Sequence, residues 1–386
     1  MSEKKRTYSS EDIERLSDRE HVRRRPAMYF GGLDDFGRLN LLKTVLSDAL
    51  TQALVDEVKQ VWIRVDEDGV WSIANDGNGI SVRENPLASR ENGRSTSIME
   101  SATSCLRYGN YARDRYLGQL SWIGGVGLSA VNFVSESFSV RSKFEGRSYE
   151  IRYEKGAVVQ SMVELTDCEW QSDSGTLFTF KPDPEIFGDD FIDEQSLVEL
   201  LPEYACLYPD LTISFFSKAS NLQSTYFSRD GVIDLLNGAS DPEVLYAVQG
   251  PKRTWENGNN LRFEKAEIAF RFCAADAGQI RSFCNGERTL GHGTHVDGFL
   301  LGIRNTVHSL AEEFGVSVSD DMDAGVLKRL DAVVSVFLYE PQFEYQRSRL
   351  GNLDLVEQFA RLTEGAIRTR IEQNPNYASA LIMSLS

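Results

Sequence analysis

The sequence predicts an α+β fold in two units, and three observations predict it. Helix-spaced and strand-spaced apolar segments follow one another irregularly, without the regular strand–helix–strand rhythm of a parallel α/β sheet. The 386 residues are enough for two domains of ordinary size. Apolar residues make up 41% of the chain, with 21 Phe and 14 Tyr to build cores, which is a globular composition.

The elements follow in chain order. Residues 1–20 are polar and charged and read as a flexible arm. Arg23-Arg24-Arg25-Pro26 comes next, then the apolar run Ala27-Met28-Tyr29-Phe30 and a Gly31-Gly32 turn. Over 39–55, Leu39, Leu42, Leu46, Ala49 and Ala53 fall at helical spacing, while Thr44, Asp48 and Gln52 recur every four residues on another face. Val61, Ile63 and Val65 alternate with polar neighbours, and the turn at 66–69 returns the chain into a second strand over 70–74, a hairpin signal. That strand runs into Asn75-Asp76-Gly77-Asn78-Gly79. Residues 84–120 are polar and Gly-containing with one helical stretch, as a mobile lid requires; Gly124-Gly125-Val126-Gly127 then opens an apolar helix over 128–134. Strands over 136–143, 147–154, 158–165 and 175–181, a helix over 196–207 and a strand over 211–216 complete the first unit. Beyond the polar stretch 217–228, the second unit has strands near 243–249 and 264–273 and the run Gly291-His292-Gly293-Thr294. A long helix over 296–314, a strand over 331–339 and a terminal helix over 352–373 follow.

The net charge of −17 has the wrong sign for gripping phosphate backbones, so direct DNA binding is not favoured, and a protein or small-molecule ligand is. No stretch approaches the roughly 18 uninterrupted apolar residues of a membrane helix, and no apolar segment follows Met-Ser-Glu-Lys-Lys-Arg; the expectation is a cytoplasmic protein with no membrane partner. Cys105, Cys168, Cys206, Cys273 and Cys284 are scattered, without zinc or redox spacing, and read as reduced, mostly buried thiols. His292 and His295 form an HxxH pair, but no acidic or Cys cluster nearby supplies the remaining metal ligands.

Glycines before a helix, as at 124–127, let backbone N–H groups approach an anion beside the helix dipole. Alone this is weak, because such turns are more commonly plain connections, and no P-loop or Rossmann fingerprint accompanies it. Asn75–Gly79 is by itself an ordinary turn. The order of parts is far more specific: a polar-striped helix, a hairpin ending in [DN]-x-G-x-G, a lid, a GGVG helix start, then Gly175-Thr176 on a later strand.

This order resembles the Bergerat-type nucleotide fold of the GHKL superfamily, and within it the ATPase and transducer regions of DNA gyrase B and its topoisomerase IV counterpart. The run 22–31, Val-Arg-Arg-Arg-Pro-Ala-Met-Tyr-Phe-Gly, resembles their VRKRPGMYIG; 125–132 resembles GVGVSVVN; 293–299 resembles GTHLAGF; 332–336 resembles AVVSV; and Gln346-Arg347-Ser348-Arg349-Leu350 is similar to QTKDKL, one residue shorter. The resemblance covers nearly the whole chain. It implies a GHKL α/β sandwich over 1–222 with an N-terminal dimerisation arm carrying Tyr8, then a transducer domain with a crossover βαβ core over 223–386. It also implies a homodimer, a possible partner subunit, and no metal-binding cleavage domain within the chain.

The same resemblance assigns the site. Family positions for nucleotide binding are occupied by Asp48, Asn75, Gly77, Gly79, Tyr116, Gly125, Val126, Gly127, Thr176, Gln346 and Arg347. The family's general-base Glu is Thr44, whose hydroxyl cannot act as a base near neutral pH. Its Mg²⁺-holding Asn is Asp48, a good hard ligand. Its adenine-reading Asp is Asn75, whose carbonyl would accept from the adenine amine without the charge-assisted strength of a carboxylate. The loop Arg is Asn78 and its helix acid Gln52, so that pair is neutral together. Arg347 stands where the family has Lys, keeping the charge with a different geometry. Glu100, on the lid side, is the acid available as a substitute base. The implied activity is an ATP- and Mg²⁺-responsive clamp related to type II topoisomerases, with hydrolysis weak or absent. The alternatives are a pseudoenzyme that binds a protein or another small molecule, and an enzyme repurposed to another reaction through Asp48. Protection against gyrase-directed antibiotics is a more speculative role.

Overall fold

The computed structural model describes residues 16–385 except 55–56, 107–126, 167–171, 190–191, 237–240, 242, 253–261, 274–277, 317–327 and 345–347. Thus Tyr8, Tyr116, Gly124, Gly125, Val126, Gln346, Arg347 and Cys168 lie outside the described residues.

The chain opens with α1 (Asp18–Arg24) and α2 (Ala27–Phe30), then the long α3 (Asp35–Leu54). The run at 22–31 is structural. Val22 is fully buried, and Arg23 donates to the Phe133 carbonyl at 2.9 Å and to Asp183 Oδ2 at 2.6 Å. Gly31, in the left-handed region at φ 77°, closes α2. In α3, Leu41, Leu42, Val45, Leu46, Ala49 and Leu50 are buried, a stripe recurring every three or four residues.

The hairpin is β1 (Gln60–Val65) and β2 (Trp71–Asn75). The segment over 84–106 carries two helices where the sequence pointed to one. Asn85 caps α4 (Pro86–Asn92), with Pro at its first position, and Ser97 caps α5 (Ile98–Ser104). Next come α6 (Gly127–Phe133), β3 (Ser135–Phe144), β4 (Arg147–Glu154), β5 (Ala157–Leu165), β6 (Gly175–Pro182), α7 (Pro184–Phe187), α8 (Glu194–Leu207), β7 (Thr212–Ser217) and β8 (Leu222–Tyr226). The eight strands form one sheet in the order β5-β4-β3-β6-β2-β1-β7-β8. All its pairings are antiparallel except β1 with β7. α3 and α6 pack together beside the sheet and share a core with Ile63, Ile73, Val140 and Phe178. The polar stretch 217–228 therefore contains an edge strand: the alternating residues of β8 are half-buried or exposed, so no apolar pattern marks it.

The second sheet has the order β12-β11-β13-β10-β9, from β9 (Leu245–Gln249), β10 (Phe263–Phe272), β11 (Ile280–Cys284), β12 (Glu287–Arg288) and β13 (Leu330–Leu338); the short α9 (Val232–Leu235) leads into it. β11 and β13 are parallel, joined through α10 (Thr294–Phe314), and this is the crossover βαβ core. One face of β13, with Ala332, Val334 and Val336, packs under α10 and α11 (Asp354–Gln373). Its other face, with Val333 and Phe337, joins the core of the first sheet through Tyr208. Burial on both faces accounts for the near-continuous apolar run at 332–338, broken only by Ser335. α10 and α11 approach so closely that a Cβ on Gly298 or Gly302 would lie 2.3 Å from the Val356 carbonyl or 2.5 Å from that of Ala360. Pro375 ends α11, and a further helix, α12 (Asn376–Leu385), follows. A two-residue ribbon pairs β14 (Phe343–Glu344) with β15 (Arg349–Leu350).

Candidate functional site

Trp71, Ile73 and Asn75 are the buried positions of β2, so Asn75 continues the core-facing side of the strand to its end. On β6 the same face carries Thr176, Phe178 and Phe180. Asn75 and Thr176 are register partners and therefore point to the same side. Each is 1% exposed. The apolar face of the sheet thus ends in a buried polar pair.

The loop after β2 is pinned by backbone-directed bonds. Asp76 Oδ1 accepts from the Lys59 and Gln60 amides at 2.9 and 3.0 Å. Ser142 Oγ on β3 accepts from the Ile80 amide and donates to the Ile80 carbonyl, both at 2.8 Å. Gly79 sits at φ 74°, and a Cβ there would lie 2.3 Å from the Lys143 carbonyl, so only glycine fits this close approach. Asp76 and Ser142 were not singled out from the sequence: nothing in a lone Asp or strand Ser shows that it anchors a loop from another segment.

Asn75 Oδ1 accepts from the Gly77 amide at 3.0 Å. That bond uses one of the two lone pairs of the carbonyl oxygen and leaves it able to accept another donor, while Asn75 Nδ2 and Thr176 Oγ1 have no hydrogen-bond partner among the described residues.

The α3 stripe forms as its spacing requires. Thr44 is buried, and its hydroxyl donates to the Asn40 carbonyl at 2.6 Å. Gln52 Nε2 donates to Asp48 Oδ2 at 2.9 Å. Gln52 makes no hydrogen bond to Asn78, whose side chain is exposed: a neutral Gln finds the Asp one turn back on its own helix. The Asp48 carboxylate is a hard oxygen ligand of the kind a divalent cation takes. Among the described residues no cluster of three or more His, Cys, Asp and Glu could hold a metal.

Glu100 already has a cationic partner. It is mostly buried on α5 and forms a two-point ion pair with Arg94, which holds the carboxylate in place. Gly127 begins α6, whose Asn132 donates to the Thr103 carbonyl at 2.8 Å. Next to Thr44, Lys43 forms an ion pair with Glu287 of β12, which also accepts from the Tyr204 hydroxyl at 3.0 Å. The stripe-bearing helix is thereby tied to the second sheet.

The HxxH pair is packing rather than a ligand set. His292 Nδ1 and Ser282 Oγ lie 2.8 Å apart. His295 is fully buried against Phe359, and burial, with smaller effects from His292 and Arg349, pushes its imidazole down to about 3. Cys206 and Cys284 are buried, whereas Cys105 and Cys273 are partly exposed. No helix among the described residues is long and apolar enough to cross a membrane.

A polar-striped helix packed beside an antiparallel sheet, a strand ending in Asn-x-Gly-x-Gly beside a buried Thr, and a helix opening at Gly127 define a GHKL nucleotide fold. The particular kinship is with DNA gyrase B. The family model described as DNA gyrase B matches residues 231–385. The gyrase B protein of Thermotoga maritima is 30% identical over 98% of this chain and 59% of its own length; that of Archaeoglobus fulgidus is 29% identical over 97% and 58%. The 43K ATPase domain of Thermus thermophilus gyrase B, solved in complex with an aminocoumarin, superposes with a TM-score of 0.78 at 25% identity, covering 95% of this chain and 93% of that one. The topoisomerase IV ATP-binding domain of Francisella tularensis shares the fold, with a TM-score of 0.72 at 22% identity over 95% of each chain. The chain is a gyrase B-like GHKL region, and it spans less than two thirds of the length of the curated relatives named here.

Proposed function

We propose that this chain is a nucleotide-binding clamp or switch related to the ATP-binding subunits of type II topoisomerases, with hydrolysis weak or absent. The observation that carries the reading is Thr44: the resemblance assigns it the general-base position, and on α3 its hydroxyl donates into its own helix. A neutral hydroxyl oxygen is far too weakly basic to take a proton from water near neutral pH. The parts that bind rather than hydrolyse are present: the Asn75–Gly79 loop, Thr176, Gly127 and, for Mg²⁺, Asp48. The resemblance adds Tyr116, Gly125, Val126, Gln346 and Arg347, and it makes ATP the expected nucleotide. Binding energy alone shifts a dimerisation equilibrium, and hydrolysis only resets it. On this reading residues 1–222 bind nucleotide, residues 223–386 transmit its presence, and the arm with Tyr8 closes a cytoplasmic homodimer that works with a partner subunit or protein.

The test is calorimetric titration of the protein with Mg²⁺ and non-hydrolysable triphosphate analogues carrying adenine or guanine, with mass followed by light scattering. Micromolar binding with a monomer-to-dimer shift is the expected result. No heat and no change in mass with either analogue at millimolar concentration overturns the reading.

A further inference from the structure

The turn between β11 and β12 is held stiffly. Cys284 and Glu287 are register partners, so only Asn285 and Gly286 lie between them, at φ 52° and 81°. Two positive φ values in a two-residue connection make the tight hairpin turn that matches strand twist. Asn285 is buried and locks this turn onto the end of β13. Its side chain accepts from the Leu338 amide at 2.6 Å and donates to the Leu338 carbonyl at 3.0 Å. Its own amide donates to the Val336 carbonyl at 2.9 Å. Further on, the Gly291 amide donates to the Ser348 carbonyl at 2.7 Å, and the Leu350 amide to the His292 carbonyl at 2.9 Å. The segment 285–292 is therefore fastened to β13 at one end and to β15 at the other. Between these anchors, both residues of β12 reach the first unit. Arg288 Nε donates to Glu203 of α8 at 3.1 Å. Glu287 is shared by Lys43 of α3 and Tyr204 of α8. The Lys43 side chain is only 15% exposed and Tyr204 is buried, so loss of Glu287 takes a partner from two polar groups that water reaches poorly.

We propose that the segment 285–292 is a strut between the two units: through the Lys43–Glu287 pair it carries displacements of α3 to the end of β13 and to the β14–β15 ribbon. Lys43 directly precedes Thr44, and backbone bonds along α3 make the helix move as a piece. A ligand that shifts the Thr44–Asp48–Gln52 stripe therefore moves Lys43 as well. Glu287 follows its partner, and the stiff turn and the two anchors pass the movement on as a contiguous hydrogen-bonded path. The Glu287 side chain is partly exposed, so the pair contributes little to overall stability and chiefly fixes position. Lys43 and Glu287 are thus positioning residues. The strut is a property of the chain alone; its use as a signal rests on the nucleotide-binding reading above.

The experiment is hydrogen–deuterium exchange, read by mass spectrometry on the full chain, for the wild type, Lys43→Met, Lys43→Arg and Glu287→Gln. Without ligand, Lys43→Met is expected to exchange roughly tenfold faster over 285–292 and in β15, with β3 and β4 unchanged. Lys43→Arg restores the wild-type rates, because it keeps the charge and the donors. Glu287→Gln, which keeps an acceptor for Tyr204, repeats the Lys43→Met pattern and decides the matter where that variant does not fold. Faster exchange confined to α3 overturns the strut. Equal acceleration in β3 and β4 is general destabilisation and overturns it too. The same measurement with Mg²⁺ and the β,γ-imido analogue of ATP tests its use. In the wild type the analogue slows exchange over 285–292 and in β15, and in Lys43→Met it binds without that slowing. Binding to the wild type with no slowing there overturns the signalling role. Failure of the analogue to bind the wild type counts against the nucleotide reading, and the ligand-free comparison still decides the strut.

Discussion

Two glycine-to-alanine changes on neighbouring helices are expected to move stability in opposite directions. In α10, a Cβ on Gly302 would lie 2.5 Å from the Ala360 carbonyl and 2.7 Å from Thr363 Cβ. Ordinary contact begins at 3.4 Å, so the helices must part locally by nearly an ångström. A gap of that size forfeits a quarter to a half of the dispersion well at each contact it opens, and the seam is lined by Phe299, Ile303, Leu355 and Phe359, all buried. Overpacking of this kind costs about 1–3 kcal/mol, and the severity of a backbone clash places Gly302→Ala at the upper end. Alanine's better helix propensity returns about 1 kcal/mol, leaving a net loss of about 1–2 kcal/mol. In α11, a Cβ on the exposed Gly365 meets nothing within 4 Å, so Gly365→Ala gains the full propensity term, about 1 kcal/mol. At roughly 2–4 °C per kcal/mol for units of this size, scanning calorimetry should show Gly302→Ala lowering the Tm by about 2–8 °C and Gly365→Ala raising it by about 2–4 °C. Shifts of the same sign in both variants would refute the close seam between α10 and α11.

Two further outcomes follow from single side chains. On the proposed reading, Thr44→Glu returns a carboxylate to the general-base position; where the nucleotide still binds, single-turnover phosphate release should rise by about a hundredfold or more, and an unchanged rate in a variant that binds normally would show that the missing base is not what limits hydrolysis. His295 has its pKa depressed by burial from 6.5 to about 3, so the unfolded chain takes up a proton that the folded chain refuses. Its stabilising contribution is present above about pH 6.5 and is lost as pH falls towards 3. Urea denaturation should find about 2 kcal/mol less stability from this group at pH 5 than at pH 7, and a dependence of the same steepness in His295→Gln would remove His295 as its cause.

Much of the scaffold was legible in the sequence because it is written in local periodicity. The four-residue recurrence of Thr44, Asp48 and Gln52 becomes one stripe of α3 by helix geometry alone, and the alternation over 61–65 with the turn into 70–74 becomes the β1–β2 hairpin, its second strand one residue later at each end. The crossover core followed from the resemblance at 293–299 and 332–336. Elements without a pattern were missed: the polar edge strand β8, and β11, where Arg281 and Ser282 interrupt a five-residue run.

By itself the sequence determined the fold class and much of the order of elements, since these depend on neighbours along the chain and on family motifs. What each residue does there was decided by tertiary partners. Glu100 is claimed by Arg94, Gln52 turns to Asp48 and not to Asn78, and His295 is sealed under Phe359. Most consequentially, the Gly77 amide takes the oxygen of Asn75, and the ladder sets its amine beside Thr176. A hydrogen-bonding group shows its role only when its surroundings are in place, and for Asn75 these include a strand far along the chain. That is why residue type was readable in the sequence and chemical role was not.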